Sequence, residues 1–289
     1  MDTSSSLNAF LLGLIEGATE FLPISSTGHL IFFGNLIGFD EAYSEVFDIS
    51  IQSGALLAVL LFYRKDFVDI VMFRDRNLLK CLILAFLPIG TFGLLFGEFI
   101  IENLFDTLFV GLSFIVGALL MFHVEFLHRQ EKHRISNVQN VSFNSAMKIG
   151  LVQTLALIPG FSRSGAAIIG GMYFGLDRST ATNFSFLLAV PVILAATIYS
   201  LYLRFEEINI ENIKIFSIGF ITSFLSAFLV IKFLISYLKN HSLLVFAIYR
   251  ILAGIVIILH PIFIGLSNNS KAKPCLNSVI DKFLSILRG

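Results

Sequence analysis

Six stretches of this chain, at roughly residues 46–63, 78–97, 108–127, 184–203, 215–238 and 244–266, are mostly apolar. Each runs to about 20 residues, the length a helix needs to cross the hydrocarbon core of a bilayer. Backbone N–H and C=O groups find no water there, so apolar spans of this kind have to be helical. The composition agrees. Apolar residues make up 56% of the chain and charged residues 14%, against roughly 25% charged in soluble domains, so too little polar surface remains to coat a water-soluble globule. The expected surroundings are therefore the lipid bilayer. A formal net charge of zero removes any global electrostatic case for nucleic acid as a partner. Cys81 and Cys275 supply neither a disulfide framework nor a metal cluster, and Cys81, inside an apolar run, reads as core filler. No Lys or Arg precedes the first apolar run, which argues against a cleavable secretory signal.

Two further apolar segments, about 7–38 and 145–176, are interrupted in the middle. The first contains GLIEGATEFLPISSTGHLIFFG and the second GLVQTLALIPGFSRSGAAIIGG. Pro23 and Pro159 break the helical pattern, and Ser, Gly and Thr follow at once. Each segment reads as two half-helices joined by a polar elbow. The two segments also match one another at a constant offset of 137 positions. Gly13 falls on Gly150, Glu16 on Gln153, Ser25 on Ser162, Gly28 on Gly165, Phe109 on Phe246 and Gly117 on Gly254. The chain reads as an internal duplication, with one repeat at 1–133, a second at 134–270 and an amphipathic tail at 271–289. Each repeat would hold one re-entrant hairpin and three spans. Three crossings invert the second repeat relative to the first, and inverted repeats place their broken helices face to face near the midplane. The expected fold class is an all-α integral membrane protein, an inverted repeat of six transmembrane helices plus two re-entrant helical hairpins.

Charge bias suggests an orientation. Loop 64–77 carries Arg64, Lys65, Arg74 and Arg76, and loop 128–148 carries Arg129, Lys132, Arg134 and Lys148, whereas loop 98–107 has only Glu98, Glu102 and Asp106. The basic loops should be cytoplasmic, which places the entrance of the first hairpin outside.

Ionisable side chains at membrane depth cost about 2.5–3.5 kcal/mol each on translocon scales, and the broken hairpins hold Glu16, Glu20, His29 and Arg163. Glu16 and Glu20, four apart, stack on one helical face. Two such carboxylates repel unless a shared proton or a cation relieves them, and a hard divalent cation, Mg²⁺ or Ca²⁺, completed by phosphate oxygens would do so. The elbow Ser25-Ser26-Thr27-Gly28-His29 offers hydroxyls, helix N-terminal N–H groups suited to an anion, and an imidazole. The second elbow sets Arg163 between Ser162 and Ser164, and a guanidinium binds phosphate bidentately. Arg163 could equally pair with Glu16 or Glu20, and the two readings are compatible. Arg250 reads more as a side chain snorkelling to the interface than as part of a site. Asp48 and Gln52, four apart, are candidates to line a cavity. There is no P-loop, dinucleotide fingerprint or zinc spacing, and His123, His128 and His133 lie near a loop.

With these residues in view, the chain resembles the undecaprenyl-diphosphate phosphatase family, known also for bacitracin resistance. GLIEGATEFLPISSTGHL is similar to its first signature and PGFSRSGAA to its second, and the similarity extends through QSGALLAV, FSFLLAVP and AIYRILAG. The resemblance implies removal of the terminal phosphate from undecaprenyl diphosphate in the bacterial inner membrane. Carried over residue by residue, it makes Glu16 and Glu20 the acidic pair associated with metal and activity, Ser26 and His29 the nucleophile and base, and Arg163, flanked by Ser162 and Ser164, the phosphate-binding arginine. Ser25 and Thr27 are further candidates for phosphate contact. His29 would activate either Ser26 or a water. Ala167 stands where the family commonly has Thr, so any hydroxyl contact from that position is missing. A transporter or flippase of polyprenyl phosphate is the rival reading, and the oligomeric state stays open, a homodimer being one candidate.

Overall fold

A computed structural model describes residues 3–39, 44–128, 134–203 and 212–267. Their elements are helical: α1 (Thr3–Thr19), α2 (Ser26–Ile37), α3 (Ser44–Phe62), α4 (Arg64–Val71), α5 (Arg76–Leu104), α6 (Thr107–His128), α7 (Phe143–Gln153), α8 (Arg163–Tyr173), α9 (Arg178–Leu203), α10 (Ile213–Leu238) and α11 (Leu244–Ser267). An isolated bridge between Ile135 and Leu176 is the extended pairing found among the described residues.

Four helical segments are long and apolar enough to cross a membrane: Arg76–Gly97, Thr107–His128, Arg178–Leu203 and Ile213–Leu238. Val46–Phe62 and Arg64–Val71 pass the same test only together, bent by 81° at the break, and make a fifth if the pair is one broken span. Leu244–His260, the part of α11 with described side chains, is apolar but shorter. Large apolar side chains stand exposed along these helices, among them Leu94, Leu95, Leu119, Ile198, Leu229 and Leu252. Water would penalise such a surface and hydrocarbon would not. The chain is a multi-pass membrane protein. The expected tail at 271–289, and most of the charged loop at 204–214, lie outside the described residues.

Helix interruption follows the sequence closely. α1 stops at Thr19 and α2 starts at Ser26, so Pro23 falls between them; α7 stops at Gln153, a 3₁₀ turn covers Thr154–Leu157, and α8 starts at Arg163, so Pro159 falls between those. Pro88 and Pro191, by contrast, remain inside α5 and α9. The difference lies in the residues just after each proline. Ser25 and Ser162 have φ of 71° and 78°, and Gly160 has 87°, so the chain reverses locally where a proline alone would only bend it.

α1 packs on α10, α7 on α5, α3 on α9 and α10, and α6 on α11. The largest core cluster contains Phe21 and Ile24 of the first elbow and Phe161 of the second, with Phe184 and Phe186 of α9. Apolar residues of both elbows are thus packed into the core of the bundle. Cys81 is buried there, its thiol donating to the Val141 carbonyl at 3.3 Å, as expected of filler. At one end of the bundle Glu125 is buried, takes both a bidentate contact from Arg178 and the Leu243 backbone N–H, and so ties α6 to α9 and to the start of α11. Removing one partner of a buried pair leaves an uncompensated charge, at about 3–5 kcal/mol. Arg178 is a quarter exposed, so Arg178→Gln is expected to lose about 2–3 kcal/mol, measurable as a lowered unfolding temperature in detergent. An unchanged melting curve would show the clasp to be dispensable.

Candidate active site

Both elbows use the same backbone device. Ser25 caps α2, its hydroxyl accepting from the Gly28 N–H at 3.4 Å, and Ser162 caps α8, accepting from the Gly165 N–H at 3.1 Å. A serine at positive φ costs on the order of 1–3 kcal/mol and persists where surrounding contacts over-determine it, and the caps provide such contacts. The elbows also bond to one another. Ser164 Oγ donates to the Leu22 carbonyl at 2.8 Å and lies 3.2 Å from Ser162 Oγ. In this state the hydroxyls of Ser25, Ser162 and Ser164 therefore hold the elbows in shape. Thr27 sits half-buried in the first turn of α2, where backbone N–H groups lack intrahelical partners. Ala167 is fully buried in α8, so the position offers only a methyl.

Polar side chains of the two elbows meet across this junction. Ser26 Oγ donates to Glu20 Oε2 at 2.5 Å. Glu20 Oε1 accepts from Arg163 Nη2 at 3.0 Å and Nε at 3.3 Å, and Arg163 Nη1 donates to the Ser185 carbonyl at 3.1 Å. The Glu20 and Arg163 side chains are 10% and 11% exposed, so the pair is shielded from bulk water but not sealed. Of the two partners open to Arg163, the structure selects Glu20. It also pairs Ser26 with Glu20, where the resemblance had made His29 the base acting on Ser26 or on a water.

Glu16 stacks below Glu20 as the spacing required, since the Glu20 N–H continues the helical turn to the Glu16 carbonyl at 2.9 Å. Glu16 is fully buried, and neither of its carboxylate oxygens has a hydrogen-bond partner among the described residues. Its charged neighbours are Glu20, Asp48 and Arg163. Ser26 is close as well, but its hydroxyl is aimed at Glu20. A buried carboxylate without donors is a costly arrangement that a cation would relieve. No group of three or more His, Cys, Asp and Glu side chains converges as a complete ligand set among the described residues. The donor set fits a hard divalent ion that takes its remaining oxygens from substrate and water. Of the two cavity-lining candidates, Asp48 reaches this neighbourhood, and Gln52 is half-buried on α3.

His29 is buried beside the junction, with Nδ1 2.6 Å from the Ser25 carbonyl oxygen and Nε2 2.6 Å from the Tyr249 hydroxyl. Arg250 corrects the snorkelling reading. It is 0% exposed and donates to five backbone carbonyls: Pro23 of the first elbow, Gly160 and Phe161 of the second, and Ser113 and Phe114 of α6. A guanidinium presents five N–H donors in a planar fork, and here each finds an oxygen of the fold. Tyr249 is the group that sequence reasoning did not single out at this site, and Arg250 the one it assigned to the interface. The available signal was an arginine a few residues inside an apolar span, where an ionisable group is a functional-site candidate by default.

Fold and site together define a multi-pass helical membrane protein in which two interrupted helical segments bring Ser26, Glu20 and Arg163 into one hydrogen-bonded cluster. The chain belongs to the bacitracin resistance protein BacA family, whose sequence model matches residues 9–256. An undecaprenyl-diphosphatase of Methylobacillus flagellatus is 48% identical over 265 residues, covering 89% of this chain and 98% of that protein. Proteins of the same name from Methylococcus capsulatus and Sulfurihydrogenibium sp. are 45% and 42% identical. Each alignment covers 87% of this chain, with 93% and 98% of the respective relative.

Proposed function

We propose that this chain is a phosphatase that hydrolyses undecaprenyl diphosphate to undecaprenyl phosphate and inorganic phosphate in the bacterial inner membrane, returning the carrier lipid to cell-wall synthesis. The observation that carries the reading is the Ser26 hydroxyl held at 2.5 Å by Glu20 while Glu20 is held by Arg163, in a family whose relatives bear that name. A transporter would share the arginine and the helix ends, but it has no use for a hydroxyl already paired with a base.

Activated nucleophiles are recognised by a base within hydrogen-bond reach and a third group that orients it. Ser26, Glu20 and Arg163 meet that description. The terminal phosphate docks at the first turns of α2 and α8, where free N–H groups favour an anion. Ser26 Oγ attacks its phosphorus, its proton passes to Glu20, and the anhydride bond breaks to release undecaprenyl phosphate. Glu20 is neutral once protonated, so Arg163 is freed to follow the charge onto the phosphoryl oxygens. A water then attacks the phosphoserine with His29 Nε2 as base, and Ser26 recovers its proton from Glu20. Ser26 and His29 are three apart on α2 and share a face. A divalent cation held by Glu16 and Glu20 would supply positive charge to the phosphate oxygens.

The same reading extends to architecture: an inverted repeat of 1–133 and 134–270, six spans, two re-entrant hairpins, and a site opening to the periplasmic side. Support comes from contacts that recur at the repeat offset. A Cβ at Gly13 would lie 2.2 Å from Thr222 Oγ1 of α10, and one at Gly150 would lie 2.3 Å from the Ala85 carbonyl of α5. Gly13 and Gly150 are repeat mates, and so are Ala85 and Thr222, so each first half-helix packs on the opposite repeat at an equivalent position.

The test is phosphate release from a C55 or C15 polyprenyl diphosphate by detergent-purified protein. EDTA should abolish release, and Mg²⁺ or Ca²⁺ should restore it. Arg163→Ala should lower kcat/KM by about a thousandfold, the scale of losing a charge-stabilising donor in the transition state. Undiminished turnover in EDTA would remove the cation, and near-parental Arg163→Ala would remove the phosphate clamp.

A further inference from the structure

The imidazole at this site has both nitrogens engaged. Nδ1 lies 2.6 Å from the Ser25 carbonyl oxygen, an atom that only accepts, so Nδ1 carries a hydrogen. In neutral imidazole that leaves Nε2 as the lone-pair nitrogen. The Tyr249 hydroxyl sits 2.6 Å from Nε2, with the two rings within 4° of parallel, so the phenolic hydrogen is directed onto that lone pair. Phe33 and Phe114 also pack near the same imidazole, with ring centroids 6.5 Å and 5.6 Å away. The ends of the pair are anchored differently. Ser25 is fixed by its cap to α2, and the backbone beside Tyr249 is fixed by Arg250, which is locked to both elbows. Tyr249 is 42% exposed against 6% for His29, so the phenol ring lies nearer the surface of the bundle than the imidazole does.

A base whose lone pair is capped takes up a proton in one of two ways. Either the cap breaks and the ring is exposed, or the cap itself passes the proton on. Breaking this cap would strand His29 in an apolar setting with an unpaired nitrogen, which is costly.

We propose that Tyr249 is a catalytic residue of this enzyme, a phenol relay that carries the proton from the attacking water to His29. The proposal rests on the phosphatase reading above and adds a residue to it. The water oxygen forms a bond to the phosphorus of phosphoserine while its proton moves to Tyr249 Oη. The Tyr249 hydroxyl proton moves to His29 Nε2, and the bond from phosphorus to Ser26 Oγ breaks. Tyr249 ends as it began, His29 carries one added proton, and Ser26 takes back the proton held by Glu20. No oxidant or other reactant is needed. The imidazolium so formed keeps a partner at each nitrogen, the Ser25 carbonyl at Nδ1 and the phenol oxygen at Nε2. The charged group facing His29 is Arg250, a cation already satisfied by carbonyls, so the imidazolium meets a like charge and the added proton is held only transiently.

The experiment uses the full chain in detergent with C15 polyprenyl diphosphate, comparing the parent, Tyr249→Phe, His29→Ala and the double variant. Phe keeps the ring and removes only the hydroxyl. The relay predicts a fall in kcat of about a hundredfold with KM changed less than threefold, and a double variant no slower than His29→Ala alone. In mixtures of H₂O and D₂O, kcat of the parent should follow a curved proton inventory, two protons moving together, and that of Tyr249→Phe a straight one. A packing role for Tyr249 would change neither the inventory nor the additivity. Tyr249→Phe within threefold of the parent, or effects that multiply in the double variant, would overturn the relay. Near-parental activity in His29→Ala would instead sink the base assignment on which the relay stands, so the two failures are separable. Should Tyr249→Phe not fold, 3,5-difluorotyrosine at position 249 decides. It retains the shape and strengthens the donor, so kcat should shift several-fold, and an unshifted kcat counts against the relay.

Discussion

Glu20→Gln is expected to lower kcat by about a thousandfold while leaving the protein folded. Gln keeps the volume of Glu and an oxygen that can still accept from Arg163, so the junction between the elbows should survive. Its other terminal atom becomes an amide nitrogen that only donates. Facing Ser26 Oγ, that nitrogen holds the hydroxyl in place but takes no proton from it. The 2.5 Å contact from Ser26 would then join two groups without a base between them. Arg163, relieved of a full negative charge, should bind ground-state phosphate somewhat more tightly, so KM is expected to stay level or fall. That split, kcat down and KM flat, separates a lost base from a damaged pocket.

Glu20 is also a candidate cation ligand, and a double variant distinguishes the two roles. If Ser26 and Glu20 act as nucleophile and base, Ser26→Ala with Glu20→Gln should be no slower than the worse single variant, because groups that work as a unit are not additive. If Glu20 acts only through a cation, the losses should multiply and Glu20→Gln should need far more Mg²⁺ or Ca²⁺ for half activity. Turnover of Glu20→Gln within about tenfold of the parent would remove it from the chemistry.

The elbows were legible because their signals are local. Pro23 and Pro159 are each followed within a few residues by a serine that can cap the next helix, and those serines reverse the chain. Pro88 and Pro191 lack that sequel and stay within helices. The carboxylate stack was legible from a four-residue spacing, since helical geometry alone puts Glu16 under Glu20. The partners were not. Arg250 bonds to oxygens of residues 227, 90 and 89 positions away, and these are backbone atoms, which no residue type announces. Tyr249 was invisible for a related reason: its hydroxyl matters only because His29, 220 positions earlier, has its other nitrogen bound. The match between the two interrupted segments hid the asymmetry of the site as well. The repeat mate of Ser26 is Arg163, that of Glu16 is Gln153, and that of His29 is Ala166. One elbow carries Ser26 and His29 and the other carries Arg163, so the sequence match between the two segments says little about what each contributes.

Replacing Arg250 by Leu is expected to be the most destabilising single change at the site. Three of its five acceptors, the carbonyls of Pro23, Gly160 and Phe161, belong to the elbows, outside any regular helix. Leaving a buried acceptor unsatisfied costs about 1–3 kcal/mol, so three come to on the order of 5 kcal/mol once water and local relaxation recover part of the loss. Arg250→Lys should fare little better, because a single ammonium has three donors and no planar fork to reach oxygens on three segments. Both variants should unfold at markedly lower temperature in detergent, and whatever folds should bind substrate poorly, since the elbows would no longer be held together. Gly117→Ala probes the same point without removing the charge. A Cβ there would lie 2.2 Å from Arg250 Nη2, which forces the guanidinium off its carbonyls, at about 1–3 kcal/mol. A hub role requires Gly117→Ala to reproduce the loss of activity in milder form although it alters no polar group. Full activity and an unshifted melting temperature in Gly117→Ala would mean that the elbows keep their alignment without Arg250, and that the junction rests on Ser164, Glu20 and Arg163 alone.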